Sequence, residues 1–202
     1  VSSMAATAPG AKPAPVLNRA TYDVVGWARD TVGGRGGRII KVTNLNESGP
    51  GSFHEAVEAE GPRIVVFEVG GVIDLNSTSI RLKNPFLTIA GQTGPGPGIT
   101  FIKGEFNIAT HDVIMQHVMI RTGEAGHAKK SGWNADGLST NGAYKSIVDH
   151  CSFSWAADEN LSSSGPRFKG ANSDEWRQNT SHNITYSNDL GYEGLRNSTH
   201  DK

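Results

Sequence analysis

Three acidic residues in the second half of the chain have side chains and spacing that suit metal chemistry. Asp136 lies in NADGLS (134–139), and Asp158 and Glu159 follow the strand-like stretch DHCSFSWAA. Two strand ends on one turn of a fold can lie close together although they are far apart in sequence. Carboxylate oxygens gathered in this way suit Ca²⁺, which accepts oxygen ligands in flexible geometry. The alternative is that Asp136 is a turn residue before Gly137 and that the adjacent pair is solvated.

Other residues have side chains that could take part in chemistry, but their sequence patterns favour structural roles. His117 and His150 occupy matching positions in two similar segments, and without a third nitrogen or sulfur ligand they predict a hydrogen-bonded stack rather than a zinc site. GGRGGRII (33–40) has neither the lysine nor the Ser/Thr of a phosphate-binding loop, so it predicts a glycine turn before a strand. Cys151 is the only cysteine and follows an apolar alternation, which predicts a small buried side chain.

The composition describes one folded domain of moderate size. The 202 residues carry a net charge of −1 and 36% hydrophobic residues. This charge argues against a binder of nucleic acid or membrane surfaces, and no apolar run approaches the ~20 residues that cross a bilayer. The Ala-, Pro- and Ser-rich start predicts a flexible tail over 1–20, with a folded domain over 21–202. The tail resembles a mature N-terminus left after signal removal, which indicates a secreted protein.

Short strands and one short helix follow the tail. Apolar runs predict strands at 39–42 and 64–69. Between them, Ser52 precedes Glu55 at the capping-box spacing, which predicts a helix over 52–59. The inward face of this helix is expected to carry Phe53, Ala56 and Val57.

Four later segments resemble one another, at 86–92, 112–121, 145–154 and 182–191. The last three stack without gaps, which gives two columns of like residues: Ile114, Ile147 and Ile184 in one, and Val118, Cys151 and Asn188 in the other. A repeat of roughly 25–35 residues built from short strands predicts an all-β solenoid, a parallel β-helix. A β-sandwich would need short hairpin turns, which are scarce here.

The two ends of the predicted solenoid differ. The helix at 52–59 is expected to cap the exposed first coil, where an open strand edge would invite aggregation. No polar cap or helix follows the strand at 182–191 before Lys202. We therefore expect the chain to be the truncated N-terminal portion of a longer solenoid, completed by a separate C-terminal fragment.

Six stretches in order resemble the pectate lyases of polysaccharide lyase family 1. They are GGRGGRIIKVTNLNESGPGSFHEAV, PRIVVFEVGGVIDL, LTIAGQTGPGPGI, VIMQHVMIRTG, ADGLS and IVDHCSFSWAADENLS, and the series covers about 33 to 191. The resemblance implies a right-handed parallel β-helix. It also implies a secreted enzyme that cleaves polygalacturonate by β-elimination with the help of Ca²⁺.

The resemblance further implies roles for individual residues. Asp136 and Asp158 match calcium-binding acids of the family, with Glu159 beside the second. Some members carry an acid where this chain has the neutral oxygen donor Asn134, and many carry an aspartate where it has Ser162. The family's base is an arginine on strands beyond 183–190, so we expect it beyond Lys202; Arg196 lies in the wrong segment. Lys202 itself approaches the family's substrate-binding lysine.

Two other functions stay open at this point. A β-helix glycoside hydrolase of the polygalacturonase type needs two carboxylates that flank the bond. Asp158 and Glu159, as adjacent strand residues, would point to opposite faces and so argue against it. A non-catalytic carbohydrate-binding β-helix would lack the downstream arginine. The fold alone does not separate these functions.

Overall fold

A computed structural model describes residues 28–164 and the strand at 182–190, so the predicted tail over 1–20 lies outside the described residues. The described part contains a helix α1 (Phe53–Glu58), a 3₁₀ turn (Gly91–Thr93) and short strands. The strands are β1 (Arg38–Val42), β2 (Arg63–Phe67), β3 (Gly71–Asp74), β4 (Ser79–Leu82), β5 (Leu87–Ala90), β6 (Ile99–Ile102), β7 (Glu105–Ile108), β8 (His111–Gln116), β9 (Val118–Arg121), β10 (Leu138–Asn141), β11 (Tyr144–Ser154), β12 (Leu161–Ser164) and β13 (His182–Leu190). Neither described helix is long and apolar enough to cross a membrane.

The strands form three faces of a parallel β-helix. Every described strand pair is parallel. The first face runs β1-β2-β5-β8-β11, the second joins β3, β6 and β9 to the end of β11, and the third runs β4-β7-β10-β12. β11 belongs to two faces, since its first half pairs with β8 and its last three residues pair with β9. One passage through the three faces makes a coil, as the repeat predicted.

Two histidines form the corner between the first and second faces. His117 and His150 both have left-handed backbone, with φ of 54° and 52°, a conformation uncommon outside glycine. Their rings stack with centroids 5.0 Å apart and planes 22° apart. His150 Nδ1 lies 2.9 Å from Asp149 Oδ1, and the His117 N–H donates to the Asp149 carbonyl. The predicted stack is confirmed, and it marks the point where these two coils turn from the first face to the second.

The register of the last described strand differs from the gap-free expectation. Ile114 pairs with Ile147 as predicted, and Cys151 pairs with Asn188. Ile184, however, pairs with Ser146 rather than Ile147, so this part of the predicted column is wrong. The register shifts between Asp149 and Cys151, at the corner residue His150, which is the signature of a bulge in β11. One extra residue in β11 moves the register by one position on one side of the bulge.

The core lies inside the coils and is closed at one end by α1. Phe53, Ala56 and Val57 are buried, as predicted. The Phe53 ring packs within 5.9 Å, between centroids, of three rings from later coils: Phe67, Phe101 and Phe106. The Glu55 N–H donates to Ser52 Oγ at 3.2 Å, which confirms the predicted N-cap. The helix therefore covers the apolar end of the first coils.

Arg63 is a fully buried cation that joins the cap to the first coils. Its guanidinium donates to four backbone carbonyls, those of Val57, Gly61, Asn84 and Pro85. Burial lowers the pKa of Arg63. These carbonyls meet the donors of both terminal nitrogens, while the buried Nε–H has no hydrogen-bond partner.

Candidate metal centre

Asp136 and Glu159 occupy equivalent positions in two successive coils. The register of β10 with β12 pairs Leu138 with Leu161 and Ser139 with Ser162. The ladder continues before the strands, because the Gly137 N–H donates to the Glu159 carbonyl at 2.9 Å. Counting back in this register places Asp136 beside Glu159, two residues before each strand. The acids therefore meet where the strands of the third face begin.

Three carboxylates converge at this corner. One carboxylate oxygen each from Asp136, Asp158 and Glu159 lies within 4.8 Å of the others. We call these three residues the acid corner. The predicted proximity is confirmed, but its reason was wrong: the acids come from matching corners of successive coils, not from two strand ends of one coil.

The bend between β11 and β12 explains how the adjacent residues Asp158 and Glu159 both reach one site. β11 ends at Ser154 and β12 begins at Leu161, so Asp158 and Glu159 are not strand residues. The expectation that they point to opposite faces is wrong, since strict alternation holds only in extended strands. Asn160, which is buried, holds the bend because its Oδ1 accepts from the Ala156 N–H at 3.3 Å. Its position directly after two acids was a signal that the sequence reasoning passed over.

Hydrogen bonds fix the Asp136 carboxylate. Its Oδ1 accepts from the Glu159 N–H at 3.2 Å, and its Oδ2 accepts from Ser162 Oγ at 3.1 Å. The Asp136 carbonyl accepts from Thr122 Oγ1 at 3.2 Å. Ser162, which the sequence showed only as a missing acid, is thus a direct neighbour of the acid corner.

The close approach of the two coils depends on a glycine. A Cβ at Gly137 would lie 2.4 Å from the Asn160 carbonyl oxygen, a distance that non-bonded atoms do not reach without a shift of the backbone. Gly137 therefore lets the segment that carries Asp136 lie directly against the segment that carries Asp158 and Glu159.

The acid corner is electrostatically strained in the metal-free protein. Local burial of the carboxyl, together with the hydrogen bond and charge of Asp136 and the charge of Asp158, raises the pKa of Glu159 to about 7. Like charges this close oppose joint ionisation. A proton on Glu159 or a cation in the corner relieves the repulsion.

The other predicted residues are not drawn together in the same way. Asn134 is exposed, two residues before Asp136. Lys202 and Arg196 lie outside the described residues. Cys151 is buried, as predicted, and desolvation raises the pKa of its thiol to about 12. Among the residues that the structure describes, the acid corner is the one group of three or more His, Cys, Asp or Glu side chains close enough to hold a metal ion.

Comparisons with known proteins find relatives that are named pectate lyases. The chain is similar to the probable pectate lyase C of Aspergillus terreus, with 39% identity over 171 residues, 84% of this chain and 36% of that protein. It is 42% identical to the Neosartorya fischeri protein of the same name over 141 residues, 69% of this chain and 32% of that protein. It is 30% identical over 150 residues to the probable pectate lyase 18 of Arabidopsis thaliana, 66% of this chain and 36% of that protein. No family model matches.

A solved structure shows the same fold. The crystal structure of Jun a 1, the major allergen from cedar pollen, matches with a TM-score of 0.60 and 17% identity, over 83% of this chain and 57% of that one. The strand pairing and this likeness define a parallel β-helix protein. By its similarity to the curated proteins, the chain belongs to the pectate lyase family. It spans about a third of the length of the curated relatives it matches.

Proposed function

We propose that this chain supplies the calcium-binding coils of a secreted pectate lyase that cleaves polygalacturonate by β-elimination. The observation that carries the proposal is the acid corner, set in a chain related to proteins named pectate lyases. A polymer of acidic sugars needs its negative charge neutralised where it reacts, and a bound cation does this, whereas the three carboxylates alone would repel the polymer.

The side chains of the acid corner fit a calcium ion. Ca²⁺ binds six to eight oxygens at about 2.4 Å, so two of its ligands are at most about 4.8 Å apart. The three carboxylates meet that limit, since their nearest oxygens lie within 4.8 Å of one another. Ser162 Oγ adds a neutral oxygen beside Asp136, and we propose Asn134 as another. This all-oxygen set favours a hard cation over zinc, which prefers nitrogen and sulfur.

In the proposed reaction, this chain orients the sugar acid and compensates its charge. A base takes the C5 proton of a galacturonate, and the electron pair left at C5 forms the C4–C5 double bond. The bond from C4 to the glycosidic oxygen breaks, and that oxygen takes up a proton from solvent and leaves as a hydroxyl. When bound, Ca²⁺ would neutralise the negative charge that develops at the adjacent carboxylate. Asp136, Asp158 and Glu159 would hold that cation. We propose that the base is an arginine beyond Lys202 and that Lys202 binds the substrate.

One observation favours a second function. A carboxyl with its pKa raised to about 7, as for Glu159, suits the general acid of a glycoside hydrolase. Because Asp158 and Glu159 lie in a bend and both reach the acid corner, Asp158 could serve as the second carboxylate. The two functions leave different products, since hydrolysis gives no C4–C5 double bond and needs no calcium.

Calcium titration of the chelator-treated chain tests the proposal directly. We expect one calcium site, and Asp136→Asn should weaken it at least about 10-fold, because it removes one of the three negative charges that would hold the cation. Glu60→Gln removes one negative charge at an exposed residue of the first coils and should leave affinity unchanged. A chain that binds no calcium, or an Asp136→Asn variant that binds it equally well, would contradict the metal site.

A second measurement separates the functions. Ultraviolet absorbance of the unsaturated uronide product should rise when polygalacturonate and Ca²⁺ are added to the active protein, and a chelator should stop it. New reducing ends without this absorbance would support the hydrolase instead. Calcium-dependent binding of the polymer without cleavage by the whole protein would support a carbohydrate-binding β-helix.

A further inference from the structure

The first strand, β1, has one backbone edge that no described strand covers. β1 ends the first face and pairs only with β2 among the described strands. The Arg38 N–H donates to the Pro62 carbonyl, next to β2, at 3.1 Å. Every second residue of a parallel strand bonds to the same neighbour. The N–H and C=O groups of Ile39 and Lys41 therefore face away from β2, towards the uncovered side. We call this side the open edge.

The open edge is short and exposed to solvent. Ile39 is 65% exposed, although its side chain is apolar and β-branched. The next N–H on this side, that of Thr43, donates to the Gly51 carbonyl at 2.9 Å, so a loop closes the edge there. An edge lysine often discourages strand pairing, but the Lys41 ammonium is drawn to Glu68, which follows β2. Two residues of β1 are thus left to receive another strand.

A groove borders β1 on the side of α1. It has a volume of about 790 Å³, and its lining includes Arg38, Ile40 and Glu55. Glu55 Oε2 accepts from the Gly51 N–H at 2.7 Å, which places this carboxylate near the Val42 end of β1. The groove therefore has a cation at one end of the strand and an anion at the other.

We propose that the open edge pairs with the open edge of a second copy of the chain, antiparallel and two-fold symmetric about Ile40. In this register Ile39 of each copy lies opposite Lys41 of the other, and four hydrogen bonds satisfy every backbone group of the two open edges. The interface is isologous, as in most two-fold dimers. A two-fold at Ile39 would instead place Lys41 opposite Gly37, whose N–H already donates to the Gly34 carbonyl.

The charges of the two copies are complementary in this register. Arg38 of the second copy lies opposite Val42, at the end of the groove that carries Glu55. By symmetry the same ion pair forms twice. On the outer side, the exposed Ile39 packs on the aliphatic stem of the second copy's Lys41.

Two features of β1 reduce the cost of this pairing. Glu68 balances Lys41 in each copy, which limits the repulsion between the two lysines. The chain before Arg38 leaves the edge at once, because a Cβ at Gly37 would lie 2.0 Å from the Pro62 carbonyl oxygen. The second copy therefore turns away towards its own β2 before it meets the loop at Gly51.

Sedimentation equilibrium of the 202-residue chain in chelator tests the dimer. The average mass should rise from the 21.5 kDa of one chain towards twice that value between about 1 µM and about 1 mM, the range of weak interfaces. Ile39→Pro should weaken the association at least about 10-fold, because it removes two of the four hydrogen bonds. The single chain should stay folded, since proline is tolerated where the N–H faces an open edge.

Val72→Pro is the matched control. Val72 is an exposed apolar residue of β3, which ends the second face. Its N–H faces away from β6, because the preceding Gly71 N–H donates to the Gly98 carbonyl. This variant should associate like the parent chain, and thermal unfolding should show both proline variants folded. A parent chain that keeps the mass of one chain at every concentration, or an equal loss of association in the two variants, overturns the dimer.

Disulfide cross-linking tests the register without proline. The two copies of residue 40 lie directly opposite each other in the dimer, with Cβ atoms about 5 Å apart, so Ile40→Cys should form a covalent dimer under mild oxidation. In Ile39→Cys the two Cα atoms are roughly 8 Å apart, and the dimer should form at least about 10-fold more slowly. The parent chain should not cross-link, since Cys151 is buried. Equal cross-linking of the two cysteine variants overturns the two-fold at Ile40.

Discussion

Replacement of Glu159 by glutamine should stabilise the metal-free protein and weaken its calcium binding. A carboxyl whose pKa moves from 4.5 to about 7 would cost about 3 kcal/mol on ionisation if it were shielded from water. Glu159 is accessible to solvent, and screening reduces this to about 1 kcal/mol. Because the folded pKa is raised, the stability that Glu159 contributes is full below pH 4.5 and is lost as the pH rises through about 7.

Thermal unfolding in chelator, from pH 4 to 8, measures this effect. The unfolding temperature of the Glu159→Gln variant should rise relative to that of the parent chain between pH 4.5 and 7. Above about pH 7 the variant should unfold about 2–4 °C higher than the parent chain. In excess Ca²⁺ the order should reverse, because the variant lacks one ligand charge. Glu60→Gln should follow the parent chain at every pH. A variant that is equally stable at pH 8 with chelator, or more stable with calcium, would refute the picture of a strained acid corner.

Two further substitutions test how the coils are held. Arg63→Met should lower the free energy of unfolding by about 3 kcal/mol in urea titration, because it removes the donors of buried carbonyls. As the control, Arg38→Gln at an exposed arginine should change the free energy of unfolding by less than about 0.5 kcal/mol. Equal effects of the two substitutions would contradict the role of burial. Gly137→Ala should cost about 1–3 kcal/mol and weaken calcium binding as well, because its Cβ would meet the Asn160 carbonyl at 2.4 Å. Unchanged stability and calcium affinity in that variant would mean that the two coils can separate without cost.

The repeat of short strands was sufficient to predict the architecture, because stacked coils require like residues at like positions. Ile114 pairs with Ile147, and the two corner histidines stack, as the gap-free alignment predicted. The same alignment placed Ile184 one residue away from its observed partner. Apolar alternation looks the same on both sides of a bulge, so the sequence does not reveal which residue leaves the ladder.

The acid corner shows a different limit of sequence reasoning. The acids were predicted to meet, yet the pairing of Asp136 with Glu159 was missed. Its signal was present, because Leu-Ser follows at the same distance in both coils, as Leu138–Ser139 and Leu161–Ser162. Ser162 was read as a lost charge, since a sequence shows which residue stands at a position but not that its hydroxyl reaches Asp136 on the neighbouring coil.

The placement of the acid corner would couple the proposed metal binding to the stacking of coils. Asp136 belongs to one coil, and Asp158 and Glu159 belong to the next. Repulsion between them therefore acts across the interface between coils and opposes their docking, while the short ladder of β10 with β12 favours it. A cation held by acids of both coils would convert that repulsion into attraction at the same place. Calcium should consequently stabilise the junction of β10 and β12 more than the first coils, where Phe53 and Arg63 already close the solenoid without a metal.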